Sequence, residues 1–557
     1  MTETVTLNFK KNIGCAIIPG VIIGFFVALG NVVRKGNGFE FSALWLLSGL
    51  LICAVSVAAI ALIYTLWDSR NSRLTSGEPK IYLPNKLFKK SWVYFFVMLA
   101  VLFILWLPAL LALYPGIYAY DAAWQYDMYV QGEVTTHHPV IHTYLVGWII
   151  DTVYHATGAF NKGILANTLV QELLMGLGCA YIFYEFHRRK AATWIHVFAL
   201  AFFGLYPPFV LFVFSSTKDS LFAIAVADFV LLSLSMGEDI KAFFEKRANR
   251  VLWIVFALEI AILRNNSVYA VILTLPFLTV MFVKAKEVKF KAFRTLVIAT
   301  VIFLIYRYPI TNATTVENPS NAEMLSVPSQ QIMRVYFRHH GEISAEDKEL
   351  VKHLFGKNAW PFGYNPYIAD ITKGNLTDAA LNEEFGEFKG LWLKWLREYP
   401  GEYVNSFLDN TYGFWYPWPP YVLYPLGDTG YTPVLVMQPG EQNSKLPGLL
   451  EFYKQFENSN MVMGDGVTTV LFAPAIFLYI AIVVAFYLLK TKKKSLLVPF
   501  VYIGLLWLTY LLGPVTMVRY ALYLYALLPV WPEYVRSKSV KDNCENGREA
   551  ASVGSQS

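Results

Sequence analysis

Charged residues are scarce in this chain of 557 residues: Lys, Arg, Asp and Glu make up 15% of it, and 56% is hydrophobic. A soluble chain carries about 25% charged residues, whereas the mean hydropathy here is +0.42. Apolar runs of about 20 residues, the length that crosses a bilayer core, recur along the chain. The composition excludes an ordinary soluble protein and predicts an all-α polytopic membrane protein.

Cysteine is also scarce, with four residues in the whole chain. Cys15, Cys53 and Cys179 lie inside apolar runs, and Cys544 lies in the polar C-terminal segment. We therefore expect no disulfide framework, and no His or Cys spacing is typical of a metal finger. The net charge of +6 comes from short basic clusters between apolar runs, a pattern typical of cytoplasmic loops, so we expect no nucleic-acid partner.

The basic clusters decide how many times the chain is predicted to cross the membrane. The twelve candidate spans are residues 13–33, 43–66, 92–113, 163–186, 193–213, 218–236, 251–263, 267–283, 295–310, 466–489, 496–513 and 517–534. With a cytoplasmic N-terminus, twelve spans leave the basic clusters in the cytoplasm, as the positive-inside bias requires. Counting Pro139–Tyr154 as a thirteenth span would send five clusters outward. Its apolar residues form a helical stripe, which predicts a helix lying in the membrane interface; the stripe is Val140, Ile141, Tyr144, Leu145, Trp148, Ile149 and Val153.

This topology divides the chain into five parts. They are an N-terminal two-helix segment (1–90), a membrane core (91–310) with an outer loop (114–162), an extracytoplasmic, mainly helical domain (311–465), a three-helix membrane segment (466–534) and a disordered cytoplasmic tail (535–557). In the extracytoplasmic domain, Ser344 and Asp347 form a capping box that predicts a helix. The dipeptide Pro400–Gly401 predicts a break between two further helices.

The outer loop lacks lysine and arginine over the stretch "YPGIYAYDAAWQYDMYVQGEVTTHHPVIHTYLVG". Its acids and histidines are Asp121, Asp127, Glu133, His137, His138 and His142. Asp121 could simply cap a helix beginning at Ala122. Asp127 lies about 240° around such a helix from Asp121, so the two carboxylates would not share a face, whereas Gln125 would share the face of Asp121.

Cations lie at the outer ends of three predicted spans. Lys218, Arg264 and Arg519 occur in "SSTKDSLF", "LRNNS" and "GPVTMVRY". Together they predict an anion site at the outer membrane surface, such as a site for a lipid phosphate. In the alternative interpretation, Lys218 pairs with Asp219 and the arginines cap helix carbonyls. Four acids in or near spans could relay protons in a transporter: Glu172, Glu185, Asp228 and Glu259.

The order of these pieces resembles that of the GT-C type glycosyltransferases, which include protein O-mannosyltransferases and the bacterial aminoarabinose transferase. After the outer-loop acid comes "HHP" (137–139), and the further matching pieces are "STKD" (216–219), "LRNN" (263–266), "SVPSQQIMRV" (326–335), "YNPYIAD" (364–370) and "RYALYLYALLP" (519–529). The resemblance covers roughly residues 90–530 and points to a bacterial branch of multi-spanning proteins. It implies a GT-C-like helical core in a bacterial plasma membrane, with both termini in the cytoplasm.

The resemblance also implies a chemistry. The donor would be a sugar on a polyprenyl phosphate, and Asp121 would be the catalytic base or would orient the acceptor. The implied substrate-binding residues are Gln125, His137, His138, Lys218, Arg264 and Arg519, with the three cations on the lipid phosphate. Asp127 is the implied ligand of a divalent metal, but the chain lacks the adjacent Asp-Glu pair of the mannosyltransferases, which leaves the metal and the acceptor open.

Two other functions remain open from the sequence. One is a transporter or flippase of a lipid-linked or anionic solute, and the other is a non-catalytic protein of envelope assembly. The large outer domain and the lack of detectable repeat halves argue against a transporter. The expected partners are therefore the polyprenyl-phosphate-linked sugar donor and membrane lipid.

Overall fold

The computed structural model of the protein describes residues 2–34, 42–75, 82–118, 121–316, 321–356, 363–377, 384–419, 440–457 and 470–537. These residues form helices and no β-strand; two isolated bridges join Ile117 to Ser215 and Ile368 to Val515. The expectation of an all-α protein is confirmed for this part of the chain. Cys544 and nearly all of the tail predicted to be disordered lie outside the described residues.

The α-helices are numbered in chain order. They are α1 Thr2–Val33, α2 Ala43–Thr75, α3 Leu83–Leu87, α4 Ser91–Ala112, α5 Ala122–Gln131, α6 Val140–Thr157, α7 Phe160–Arg188, α8 Thr193–Leu205, α9 Pro207–Val213, α10 Lys218–Glu238, α11 Ile240–Glu245, α12 Arg247–Ile262, α13 Ser267–Lys284, α14 Lys289–Ile305, α15 Thr311–Thr314, α16 Ser326–Arg338, α17 Ala345–Phe355, α18 Ala369–Lys373, α19 Phe385–Glu398, α20 Pro400–Thr411, α21 Pro447–Glu457, α22 Pro474–Lys490, α23 Val498–Tyr510, α24 Val518–Ala526 and α25 Trp531–Arg536. A π-helical turn, Tyr306–Ile310, joins α14 to α15.

Seven helices in the described part of the chain are long and apolar enough to cross a membrane. They are Phe9–Val33, Ala43–Asn71, Ser91–Ala112, Phe160–Arg188, Lys218–Glu238, Ser267–Lys284 and Lys289–Thr314. The bent pair α8 and α9, which meet at 60°, would make an eighth span. Two prolines, Pro207 and Pro208, open α9 and explain the break, because proline cannot continue the hydrogen bonding of the preceding helix. These helices indicate a membrane protein.

The predicted number of twelve spans is not confirmed. Three of the remaining apolar runs form helices of 16, 17 and 13 residues, which are α12, α22 and α23. The last run is divided between α24 and α25, with nine and six residues. The predicted spans 466–489, 496–513 and 517–534 thus contain continuous helices shorter than the spans themselves, whereas α12 is longer than the predicted span 251–263.

Helix α10 lies at the centre of the apolar body. In the apolar 18-residue stretch of α10, 94% is buried inside the protein, whereas only 11% of the corresponding stretch of α2 is buried. It packs against α7, α12 and α24. The first residue of α10 is Lys218, so the central helix places this cation, and the helices around it bring their own ends to the same point.

The outer loop folds as two helices with a small core of their own. Tyr118, Tyr126, Ile150 and Phe160 belong to this core, which holds α5 and α6 against the start of α7. Helix α6 is not among the apolar helices that could cross a membrane.

The exposed face of α6 supports the predicted interfacial helix. Ile141, Tyr144 and Trp148 are 51%, 37% and 59% exposed, and all three belong to the predicted apolar stripe. Val140 and Ile149 were expected on the same stripe but are buried, because α6 also packs against α5 and α7. The interfacial stripe is therefore narrower than the sequence predicts.

Residues 321–411 contain a separate helical core. Ile332, Tyr336, Leu354 and Trp395 lie in it, and it joins α16, α17 and α19. Helix α17 begins as predicted, because the Ser344 Oγ accepts a hydrogen bond of 3.0 Å from the Asp347 N–H. The predicted break between two helices is also confirmed, since α19 ends at Glu398 and α20 begins at Pro400.

This helical core is attached to the segment that precedes α24. The Asn410 side-chain amide donates to the Gly513 carbonyl at 2.9 Å, and the Ala369 N–H donates to the Pro514 carbonyl at 2.6 Å. Because Arg519 lies in the first turn of α24, these bonds help to fix the position of that arginine.

Candidate functional site

Five charged side chains meet where helix ends converge, and we call them the charged cluster: Asp121, Lys218, Asp219, Arg264 and Arg519. Asp121 directly precedes α5, and Arg264 follows the end of α12. The other three lie in the first turns of α10 and α24. The cluster forms because α10 packs against both α12 and α24, so residues far apart in sequence reach the same end of the body.

Asp121 is the carboxylate at the entrance of the cluster. Its Oδ2 lies 2.6 Å from the Lys218 Nζ and 3.2 Å from the Arg519 Nη1, and its side chain is 28% exposed. The side chain makes no capping hydrogen bond to α5, and its backbone has helical rather than extended angles. The interpretation of Asp121 as a simple helix cap is therefore wrong.

The charges around Asp121 set its protonation. Burial alone would raise the pKa of the Asp121 carboxyl, but the charges of Lys218 and Arg519 outweigh burial and hold that pKa well below its usual range. Asp121 is thus ionised at neutral pH. While both cations remain on it, it is also a weak base.

Asp219 is the second carboxylate and lies deeper, with its side chain 1% exposed. It forms an ion pair with Arg264. Its Oδ2 lies 3.7 Å from the Arg519 Nε and accepts a hydrogen bond of 3.1 Å from the Thr217 hydroxyl. The alternative pairing of Lys218 with Asp219 is wrong: adjacent residues of a helix point about 100° apart, and Lys218 turns to Asp121 instead.

Both arginines of the cluster contact aromatic rings. The Arg264 guanidinium carbon lies 4.9 Å from the centre of the Tyr510 ring and 4.6 Å from that of Tyr520. The Arg519 guanidinium carbon lies 5.0 Å from the Tyr520 ring. Such cation–π contacts stabilise a desolvated guanidinium and fix its plane.

Cations outnumber carboxylates in the charged cluster. Among the described residues that make these contacts, Lys218, Arg264 and Arg519 face two carboxylates, and the two arginines are each 8% exposed. Burying an excess of charge is costly unless a counter-charge is present. The arrangement therefore favours the binding of an anion, and guanidinium and ammonium groups suit a phosphate.

His138 borders the cluster and His137 does not. The His138 Nδ1 lies 3.3 Å from the Lys218 Nζ and 3.7 Å from the Asp121 Oδ2. Burial and the charge of Lys218 lower the pKa of His138 to about 2, so the ring is neutral. His137 is exposed and packs its ring edge-on against His138, with the centroids 4.5 Å apart. Of the two predicted substrate-binding histidines, the structure places only His138 in contact with the cluster.

Gln125 is buried between α5 and α6. Its side-chain amide lies 3.1 Å from the His142 Nδ1 and donates to the Thr143 hydroxyl at 3.0 Å. Burial lowers the pKa of His142 to about 3. These contacts make Gln125 a residue that joins the two loop helices, and they do not place it against the cluster.

The structure gives no support to a metal ligand at Asp127. Within the described residues, no group of three His, Cys, Asp or Glu side chains could hold a metal ion. The carboxylate of Asp127 interacts electrostatically with Tyr118 and Tyr126. The divalent metal implied by the resemblance therefore has no three-ligand site among these residues.

The acids within the apolar body lie apart from the cluster's ion pairs. Glu185 pairs with Arg188, with 2.6 Å between Oε2 and Nη2. Asp228 is buried on α10 and interacts electrostatically with Glu185 and Glu259. Glu172 is buried on α7.

Sequence reasoning missed Asp219, Tyr510 and Tyr520 as parts of the site. For Asp219 a signal was present, because its position next to Lys218 already made pairing between the two side chains unfavourable. Tyr510 and Tyr520 carry no such signal, since tyrosine is abundant in this chain, with 35 residues.

Together, the fold and the charged cluster define a helical membrane protein with a buried, cation-rich site where its helix ends meet. The chain belongs to the family of unknown function DUF6020, whose sequence model matches residues 130–530. The match includes His138, Lys218, Arg264 and Arg519 and begins after Asp121. No curated protein and no solved structure matches the chain.

Proposed function

We propose that the protein is a GT-C type membrane glycosyltransferase that moves a sugar from a polyprenyl-phosphate donor to an extracytoplasmic acceptor. The observation that carries this proposal is the convergence of Lys218, Arg264 and Arg519 on two carboxylates where the helix ends meet. A lipid-linked phosphate would supply the missing negative charge in the cluster. The acceptor is a cell-envelope glycan, lipid or protein hydroxyl.

The cations suit the leaving group of such a reaction. When the bond between the sugar and the phosphate breaks, negative charge grows on the phosphate oxygen, and fixed cations in a buried site stabilise that charge. Lys218 and Arg519 already hold one carboxylate oxygen of Asp121, Oδ2, at 2.6 and 3.2 Å. A phosphate oxygen can take the same position, with Arg519 presenting its planar fork.

Asp121 is the proposed base. The acceptor oxygen attacks the anomeric carbon, the carbon–oxygen bond to the phosphate breaks with its electron pair leaving on the phosphate, and the acceptor proton passes to Asp121. Because Lys218 and Arg519 keep Asp121 weakly basic, the donor phosphate must first draw these cations toward itself. Donor binding thus precedes acceptor activation, and no step is assigned to a metal.

We place the cluster on the extracytoplasmic side of a bacterial plasma membrane, with both termini in the cytoplasm. The basic clusters between apolar runs support this orientation. The exposed Ile141, Tyr144 and Trp148 of α6 support a loop resting on the bilayer surface.

The test is release of the lipid phosphate by the purified protein in lipid nanodiscs, using a panel of polyprenyl-phosphate sugars. We expect release with at least one donor, and we expect Arg264→Ala and Arg519→Ala to weaken donor use about tenfold to a hundredfold, since a charge-assisted contact contributes about 1.5–3 kcal/mol. The matched control is Arg397→Ala, at an exposed position on α19. Donor use that survives both cluster substitutions in folded protein would place the phosphate elsewhere.

A second candidate is transport of a lipid-linked or anionic solute. It draws on Asp228, an acid buried inside the body near Glu185 and Glu259, because such groups often relay protons in transporters. Donor binding without release of the lipid phosphate, together with solute flux in proteoliposomes, would favour transport over transfer.

A further inference from the structure

An apolar cavity lies inside the helical body, apart from the charged side chains. It has a volume of about 280 Å³, and α10, α12, α13, α14 and α23 all contribute to its wall. It extends from Met236, near the end of α10, to Val268, in the first turn of α13. Most of its lining is hydrocarbon, so it suits an apolar ligand rather than water.

The cavity is open toward the lipid-facing surface. Ile272 on α13 and Leu304 on α14 both line it, and they are 54% and 44% exposed. In a bilayer these two helices face hydrocarbon. A chain of a membrane lipid can therefore enter sideways between α13 and α14 without crossing water.

One end of the cavity lies within one turn of chain of Arg264, a member of the charged cluster. The lining residue Tyr502 shares a hydrogen bond of 2.7 Å with the Ser267 hydroxyl, and the Ser267 N–H donates to the Arg264 carbonyl at 3.1 Å. Val268, the next residue, also lines the cavity. The apolar cavity and the nearest cation of the cluster are thus joined within one turn of chain.

The volume limits the ligand to one chain. An apolar cavity of about 150 Å³ holds one benzene, so a cavity roughly twice that size has room for about a dozen carbon atoms. Two acyl chains of a glycerophospholipid would need considerably more space. The volume thus matches the chain of a lipid in which a single apolar chain carries the anionic head group.

We propose that this cavity holds the first part of the hydrocarbon chain of a single-chain lipid phosphate whose head group lies on the charged cluster. The head-group position rests on the proposed function, whereas the chain position rests on the cavity alone. The two sites together would select a ligand by chain number and by head-group charge.

The test is photo-crosslinking in phosphatidylcholine nanodiscs with a dodecyl phosphate that carries a diazirine at mid-chain. We expect crosslinks on the cavity-lining parts of α12 and α13, around Leu258 and Leu275. Unlabelled dodecyl phosphate should compete, and dioleoyl phosphatidic acid, which has two chains on the same head group, should not. Equal competition by phosphatidic acid would overturn the single-chain assignment.

Ala257→Phe fills the cavity, and Ala59→Phe adds the same side chain to an exposed position on α2 as a control. We expect Ala257→Phe to lower crosslinking at least about tenfold, since each excluded methylene weakens burial about fourfold, and Ala59→Phe to have no effect. Should Ala257→Phe fail to fold, the positions of the crosslinks in the native protein still show whether the lipid chain lies in the cavity. Crosslinks spread over lipid-facing helices such as α2, or a yield within twofold in a folded Ala257→Phe, would overturn the proposal.

The outcomes separate this inference from the proposed function. Cavity crosslinks without release of the lipid phosphate from any donor would support the chain site and refute the glycosyltransferase. Release of the lipid phosphate without cavity crosslinks would refute the chain site and support the glycosyltransferase.

Discussion

Replacing Asp121 with asparagine changes the charge of the cluster while nearly keeping the shape of the side chain. In the native protein this carboxylate serves two purposes in our proposal: it takes the acceptor proton, and it balances Lys218 and Arg519 until the donor arrives. The two purposes predict opposite effects on turnover and on donor affinity. Asp121→Asn is therefore a sharper test than a substitution that weakens both.

The expected size of each effect follows from the contacts. Loss of general-base assistance lowers turnover by about 10²–10⁴. Donor phosphate must displace Asp121 from two charge-assisted contacts, of 2.6 and 3.2 Å. An amide gives up such contacts more readily, by about 1 kcal/mol each. Because the carboxylate is 28% exposed and water screens part of its charge, we expect lipid-phosphate binding to tighten by about tenfold rather than more.

Two measurements check this in nanodiscs: single-turnover release of the lipid phosphate and equilibrium binding of a polyprenyl phosphate. Turnover of Asp121→Asn within about tenfold of the native rate would refute the base. Unchanged or weaker binding would refute the competition between Asp121 and the phosphate. Asp127→Asn is the matched control, and we expect it to change neither quantity, because Asp127 lies about 240° around α5 from Asp121 and its carboxylate interacts with Tyr118 and Tyr126.

The remaining predictions concern topology, acid stability and the stacked arginine. In a cysteine-free background, an impermeant thiol reagent should label a cysteine introduced at Asn375 in intact cells and should not label one introduced at Lys493. The reverse pattern would place the cluster in the cytoplasm. The pKa of His138 is about 2 in the folded protein, against 6.5 when unperturbed, so below pH 6.5 the unfolded state takes up a proton that the folded state does not. The contribution of His138 to stability is therefore fully present above pH 6.5. It falls as the pH decreases toward 2, by up to about 1.4 kcal/mol per pH unit. The thermal midpoint in detergent should thus fall less between pH 6.5 and 4.5 in His138→Gln than in the native protein, and an identical fall would show that another group is responsible. Arg264→Lys keeps the charge but loses the planar contact with two tyrosine rings, so we expect donor affinity to fall about threefold to thirtyfold in a lipid-phosphate binding assay, and native affinity would show that charge alone suffices.

The sequence by itself determined the helical class and much of the local structure. Apolar runs and low charge predicted membrane helices because a bilayer core demands both. Ser344 with Asp347, and Pro400 after Tyr399, determined a helix start and a helix break, since capping and proline act within one turn of chain. Neither conclusion needed any contact between distant residues.

Tertiary structure decided the number of long helices and the partners of the charges. Whether an apolar run forms one continuous helix depends on prolines and on packing against other helices, so twelve runs yielded seven long apolar helices in the described residues, or eight with the bent pair. The sequence predicted Lys218, Arg264 and Arg519 as outer cations, but Asp121 lies 97 residues from Lys218 and 398 residues from Arg519 along the chain. Side-chain pairing over such separations is set by how α10, α12 and α24 pack. No local sequence pattern records this packing. Only the fold could therefore show that Asp121 pairs with the cations and does not cap its own helix.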